Sequence, residues 1–175
     1  MSQSPSLFAI FVGGRHPRGT IELHDVQFVV AHELEQAFPT LRARWWGEPA
    51  SLHVDAYAKL TCVDGYKVTL VPAEQAARTD LSLYFVNVGG YQEGVFGEAH
   101  AYSFHVGRDK RQIWAAAKAR ADFGQQHQDD FKSIDDIVCV DDRLAAQRYA
   151  LVLTPAEPGA PEAHVVAAYI KLDGG

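Results

Sequence analysis

Ser6-Leu-Phe-Ala-Ile-Phe-Val-Gly-Gly14 recurs 76 positions further on (82 − 6) as Ser82-Leu-Tyr-Phe-Val-Asn-Val-Gly-Gly90. Both stretches are apolar at consecutive positions, so a strand built from either would bury both faces and lie centrally in a sheet. The same offset carries Glu22 to Glu98, His24 to His100, Phe28 to Phe104, Phe38 to Trp114 and Arg44 to Arg120. It grows to 77 between Cys62 and Cys139 and to 83 between Tyr66 and Tyr149, which assigns the length changes to loops. The chain therefore reads as one module written twice: residues 6–78 are the first copy, 79–155 the second, and 156–175 a linker and C-terminal strand packed with both as one compact unit.

Outward from the opening run, Glu22, His24, Val26, Phe28 and Val30 alternate with more polar neighbours, and Glu98, His100, Tyr102, Phe104 and Val106 repeat the pattern. A period of two predicts a strand with Glu and His turned toward its apolar side. A helix follows in each copy. In the second, Asp109 can cap a run through Phe123 that Gly124 closes. In the first, Pro39 within Glu33–Trp46 predicts a kink or a late start, because proline has no amide hydrogen to bond back. A hairpin then runs from His53 to Val63, turns at Asp64-Gly65 and returns over Tyr66–Val71, since Asp-Gly suits a turn with both central residues left-handed. The second copy replaces that turn with a longer loop around Asp142–Gln147. The unit is β-β-α-β-β, and Val165–Leu172, before Gly174-Gly175, adds a ninth strand that closes a sheet edge. The class is α+β: mainly antiparallel sheet with helices packed on one face.

Composition narrows the setting. With 47% hydrophobic and 22% charged residues the chain has the make-up of a packed globular protein. Its longest apolar run, Leu7–Val12, is far below the roughly 18 residues of a membrane helix, and the N-terminus lacks the basic start and apolar stretch of a secretory signal. No membrane association and a cytoplasmic location are expected. The net charge of −6 falls mainly on residues 79–175, and no basic run interleaved with aromatics offers a face to nucleic acid. Two cysteines at equivalent places read as reduced structural thiols.

The ordered string Phe-Val-Gly-Gly, Ile21-Glu-Leu-His-Asp-Val-Gln-Phe28, Trp46-Gly47, Leu52-His-Val-Asp-Ala-Tyr57, Val63-Asp-Gly-Tyr66 and Phe85-Val-Asn-Val-Gly-Gly-Tyr91 resembles a bacterial family known as domain of unknown function 1543, here in a two-copy form. The resemblance extends over nearly the whole chain. It implies a module used once or twice per chain, and no activity.

Two constellations carry chemistry. The twinned Glu22/His24 and Glu98/His100 offer two carboxylates and two imidazoles, a donor set suited to a divalent transition metal as cofactor if a pseudo-twofold axis brings them together. Otherwise each His is simply held by its own Glu. In the first copy alone, His53, Asp55 and Tyr57 alternate after Trp45-Trp46; counted at an offset of 77, the second copy has Asp130, Lys132 and Ile134 there. His24 or His53, oriented by Asp25 or Asp55, could act as a general base, although no G-x-S-x-G nucleophile motif accompanies them. The Gly-Gly pairs read as left-handed turns between strands, with Arg15 and Arg18 as anion contacts, and Trp46 and Tyr57 as ligand-facing rings.

Broken symmetry thus points to the first copy. The expected function is binding or sensing of a small polar ligand or a metal there. The alternatives are a hydrolase-like or other acid/base or metal-dependent enzyme using His24, Asp25, His53 and Asp55, and a self-associating structural protein without a ligand. A homodimer is compatible with all three.

Overall fold

The structure, a computed structural model, describes residues 4–77, 79–91, 93–120 and 132–172. Strand β1 (Ser6–Gly14) pairs antiparallel with β2 (Leu23–Ala31) on one side and with β3 (His53–Lys59) on the other. The alternation within β1 explains why it is apolar throughout. Leu7 and Ala9 enter one core, and Phe8, Ile10 and Val12 enter another on the opposite face. After β2 a 3-10 turn, Leu34–Ala37, leads into helix α1 (Phe38–Arg44), so Pro39 marks the late start expected of it, within the first turn where a missing amide hydrogen costs nothing.

β3 is followed by the two-residue β4 (Cys62–Val63), a turn, and β5 (Tyr66–Pro72). Asp64 at φ 50° and Gly65 at φ 73° are both left-handed, as an Asp-Gly hairpin turn requires. The expected single strand His53–Val63 is thus two, because the chain leaves the first sheet after Lys59. The second half opens with β6 (Ser82–Gly90) paired to β7 (Ala99–Gly107), followed by α2 (Lys110–Arg120) and β8 (Lys132–Cys139). The Asp109 carboxylate accepts from the Gln112 amide at 2.9 Å and caps α2 as expected; Phe123 and Gly124 lie outside the described residues. The expected loop Asp142–Gln147 is instead mostly helical: α3 (Val140–Leu144) and a 3-10 turn through Gln147. β9 (Tyr149–Pro155) and β10 (Val165–Lys171) complete ten strands among the described residues.

The molecule is α+β with antiparallel pairing throughout. The sheets run β10-β3-β1-β2, β7-β6-β8 and β4-β5-β9. β10 covers the outer edge of β3, and Leu172 beyond it is buried in the core beneath α1. The two larger sheets share a core on their inner faces, where Phe28 meets Phe85 edge-on at 5.8 Å and both approach Phe104. The halves keep one register. Ser6 pairs with Ala31 as Ser82 pairs with Gly107, and the third strand bulges opposite Phe11 and Val12 in one half and opposite Asn87 and Val88 in the other. Between the halves β5 pairs antiparallel with β9, each tyrosine opposite the other strand's proline (Tyr66 with Pro155, Pro72 with Tyr149).

Two expectations change here. Gly13, Gly14, Gly89 and Gly90 lie inside strands and none has a positive φ. The relation of β3 to β8 is also 80 rather than 77 positions, because Gly13 faces His53 whereas Gly89 faces Ser133. Ser133, Asp135 and Ile137 therefore occupy the places of His53, Asp55 and Tyr57; Asp130 lies outside the described residues.

Candidate functional site

The bulge in β3 builds the site. Val12 pairs with Val54 and Phe11 with Ala56, so Asp55 is the extra residue, and its carboxylate joins His53 on the inner face of the sheet. At the same end of β2, Glu22 and His24 reach across. His53 Nε2 lies 3.2 Å from Asp55 Oδ1 and 3.5 Å from Glu22 Oε1; His24 Nε2 lies 3.5 Å from Asp55 Oδ2 and 3.7 Å from Glu22 Oε2. Glu22, which the sequence paired only with His24, joins His24, His53 and Asp55 in one ring.

Gly13 makes the ring possible. A Cβ placed there would meet Asp55 Oδ2 and His53 Nε2 at 2.6 Å each, and His24 at 3.1 Å. Its glycine serves close approach rather than a turn. At Gly14 a Cβ would meet the Trp45 ring at 2.6 Å, which fixes that indole beneath the strand end. His53, 3% exposed, is held from behind: its Nδ1 lies 2.9 Å from the Ser51 carbonyl, an acceptor, so Nδ1 donates to it and Nε2 faces the ring. Tyr169 of β10 packs over the imidazole at 4.6 Å between centroids, and Phe11 stacks on His24 at 5.3 Å. His53 Nε2 and Asp55 Oδ2 are buried and make no hydrogen bond. Buried polar atoms are nearly always satisfied, so this unpaired couple marks the site.

The remaining candidates divide. Arg15 borders a cleft of about 390 Å³ beside the ring, with Glu22, Glu48, Ser51, His53, Tyr169 and Lys171. Arg18 is exposed, and its amide bonds His16 rather than any site residue. Trp46 is exposed and packs against Trp45 and His16. Tyr57 falls on the opposite face from His53, because the bulge inverts the alternation; it packs on Phe8 and the core beneath α1. Asp25, next to His24 and so on the other face of β2, accepts from the Val26 amide and lines a different cleft with Arg44, Asp136 and Asp142. Glu22 takes the place that Asp25 was expected to hold.

The symmetric metal site does not form. His100 lies 3.1 Å from Asn87 Oδ1 and 3.9 Å from Glu98, both within its own half. The Phe11 and Tyr102 rings form a ladder between the two histidines. Among the described residues no three His, Cys, Asp or Glu side chains constitute a ready metal-binding group. Cys62 and Cys139 are free, and burial pushes both thiols up, which keeps them protonated. No helix among the described residues is long and apolar enough to cross a membrane.

Gly13, Ser51 and Tyr169 went unread as site residues. Only the glycine left a signal, as an invitation to close backbone approach within an otherwise apolar strand.

No curated protein matches the chain. A crystal structure of protein Il1583 from Idiomarina loihiensis is similar over 98% of this chain and 100% of that one, at 29% identity and a TM-score of 0.70. Residues 19–70, the stretch that contains Glu22, His24, His53 and Asp55, match the family model Domain of Unknown Function (DUF1543).

Proposed function

We propose that this protein is a binding module for a small cationic or zwitterionic ligand, built on a tandemly duplicated frame (residues 6–78 and 79–155) of which only the first copy keeps the site. The supporting observation is the ring itself. The Asp55 and Glu22 carboxylates approach His53 Nε2 within 3.2–3.5 Å, and two buried atoms of the group, His53 Nε2 and Asp55 Oδ2, make no hydrogen bond. Carboxylates brought this close repel unless something positive or proton-donating stands among them. An ammonium group satisfies several acceptors at once. Arg15 and Lys171, which line the adjoining cleft together with Glu22, would take an anionic end of the same molecule.

A divalent transition metal is the second reading. Donor separations of 3.2–3.7 Å are those of ligands sharing one ion at about 2.0–2.2 Å. Small rotations of Glu22 and His24, both about two-fifths exposed, would be needed to complete the shell. Acid/base turnover at the ring is not required by either reading.

Isothermal titration calorimetry with glycine, lysine and ZnCl₂ separately tests the proposal. One-to-one binding of at least one probe is expected, weakened by about tenfold or more in Glu22→Gln and His53→Gln. If no probe binds, or the variants bind as the parent does, the proposal fails.

A further inference from the structure

A second constellation lies where the halves meet, away from the ring. Ser103 and His105 alternate on β7, and Ser103 Oγ lies 2.9 Å from His105 Nε2. On the far side of the imidazole, Nδ1 lies 3.5 Å from Oδ2 of Asp64, the first of the two left-handed residues of the β4–β5 turn. Asp64 is itself tied down: Oδ2 accepts from the Val106 amide at 3.0 Å, and Oδ1 from Arg120 at 2.8 Å. The carboxylate beside Nδ1 favours the tautomer with the proton there. Nε2 then accepts from the Ser103 hydroxyl.

Hydroxyl, imidazole and carboxylate in that order form a nucleophile, its base and the group that orients the base. His105 is only 1% exposed, and its Nδ1 makes no hydrogen bond of good geometry at 3.5 Å. Contacts of this kind are often long before substrate binds. Ser103 is half-buried and opens into a cleft of about 600 Å³ with Asp64, Phe104, Arg120 and Glu162. Phe28 and Arg44, 76 positions before Phe104 and Arg120, line a cleft shared by the two halves, and Gln27 and Val29 stand in place of Ser103 and His105. The shared frame therefore does not require this pair.

The geometry points to Ser103 as a nucleophile activated by His105, with Asp64 as the positioning residue, acting on esters of small acyl groups. As Ser103 Oγ bonds to the acyl carbon, its proton passes to His105 Nε2. The bond to the leaving alcohol breaks, and that proton leaves with it. Water then attacks the acyl-serine and gives a proton to Nε2, which returns it to Ser103 as the carboxylic acid departs. Ester and water become acid and alcohol, with no redox partner. Burial, followed by the nearby Asp64 and Arg120 charges acting in opposite senses, sets His105 below its ordinary value, so it stands ready as a neutral base.

A fluorophosphonate probe tests the idea, because a Ser Oγ–P bond forms as P–F breaks, and peptide mass spectrometry locates the adduct. Modification of the full-length protein at Ser103 is expected. It should vanish in Ser103→Ala, slow by about a hundredfold or more in His105→Gln, and slow in Asp64→Asn with its dependence on pH altered. p-Nitrophenyl acetate hydrolysis should fall in parallel. Ser103→Ala removes one oxygen and is checked for native melting, so the test does not depend on the buried histidine variant folding. No adduct on the parent, an adduct elsewhere, or a rate unchanged in Ser103→Ala overturns the assignment.

Discussion

At the residue scale, Gly13 is the most constrained position of the first site. A methyl group there would strike a carboxylate and an imidazole that β3 holds firmly, so neither can move far. Gly13→Ala is expected to cost about 1–3 kcal/mol in denaturant unfolding, as overpacking does, and to abolish ligand uptake in calorimetry. His105 makes a different prediction. Burial lowers its folded pKa below 6.5, so in the window below that value the unfolded chain binds a proton that the native chain refuses. Its contribution to stability is full above about pH 6.5 and declines as pH falls toward the folded pKa. Melting temperature should therefore drop on acidification from pH 7.5 to 5.5. His105→Gln, which cannot titrate, should lose that part of the slope; an unchanged slope would remove His105 from the account.

At the scale of elements, turn and strand separate two uses of glycine. Gly65 has φ 73° and open space around its Cβ direction, so Gly65→Ala meets only the left-handed backbone penalty, about 1–2 kcal/mol, and should leave the ring's ligand binding unchanged. Comparison with Gly13→Ala in the same two assays distinguishes strain from collision. The bulge at Asp55 is the element feature on which the site rests. Without it, strict alternation would keep His53, Asp55 and Tyr57 on one face, which is how the sequence reads. One inserted residue leaves His53 and Asp55 together and sends Tyr57 to the other core. The strand, its face and the Asp-Gly turn were legible; the bulge was not, because nothing in Leu52–Tyr57 differs from an unbroken strand.

At the scale of the molecule, the inner core draws Leu7, Ala9 and Phe28 from one half and Leu83, Phe85 and Leu151 from the other, and β5 pairs with β9 between them. Neither half can bury its inner face alone. One cooperative calorimetric transition is expected, and Phe85→Ala should lower stability by about 3–5 kcal/mol without splitting it. Two separate transitions would mean independent units. The sequence by itself determined what local patterning controls: the two-faced central strands, the period-two strands beside them, the proline-delayed helix, the left-handed turn and the α+β class. Tertiary structure alone decided which polar side chains meet. It added Glu22 to His24, His53 and Asp55, excluded Asp25 and Tyr57, and placed Asp64 of one half behind His105 of the other. The physical reason is that a one-residue change of register inverts a strand face, and contacts between residues 30 or 40 positions apart depend on packing that no local pattern records.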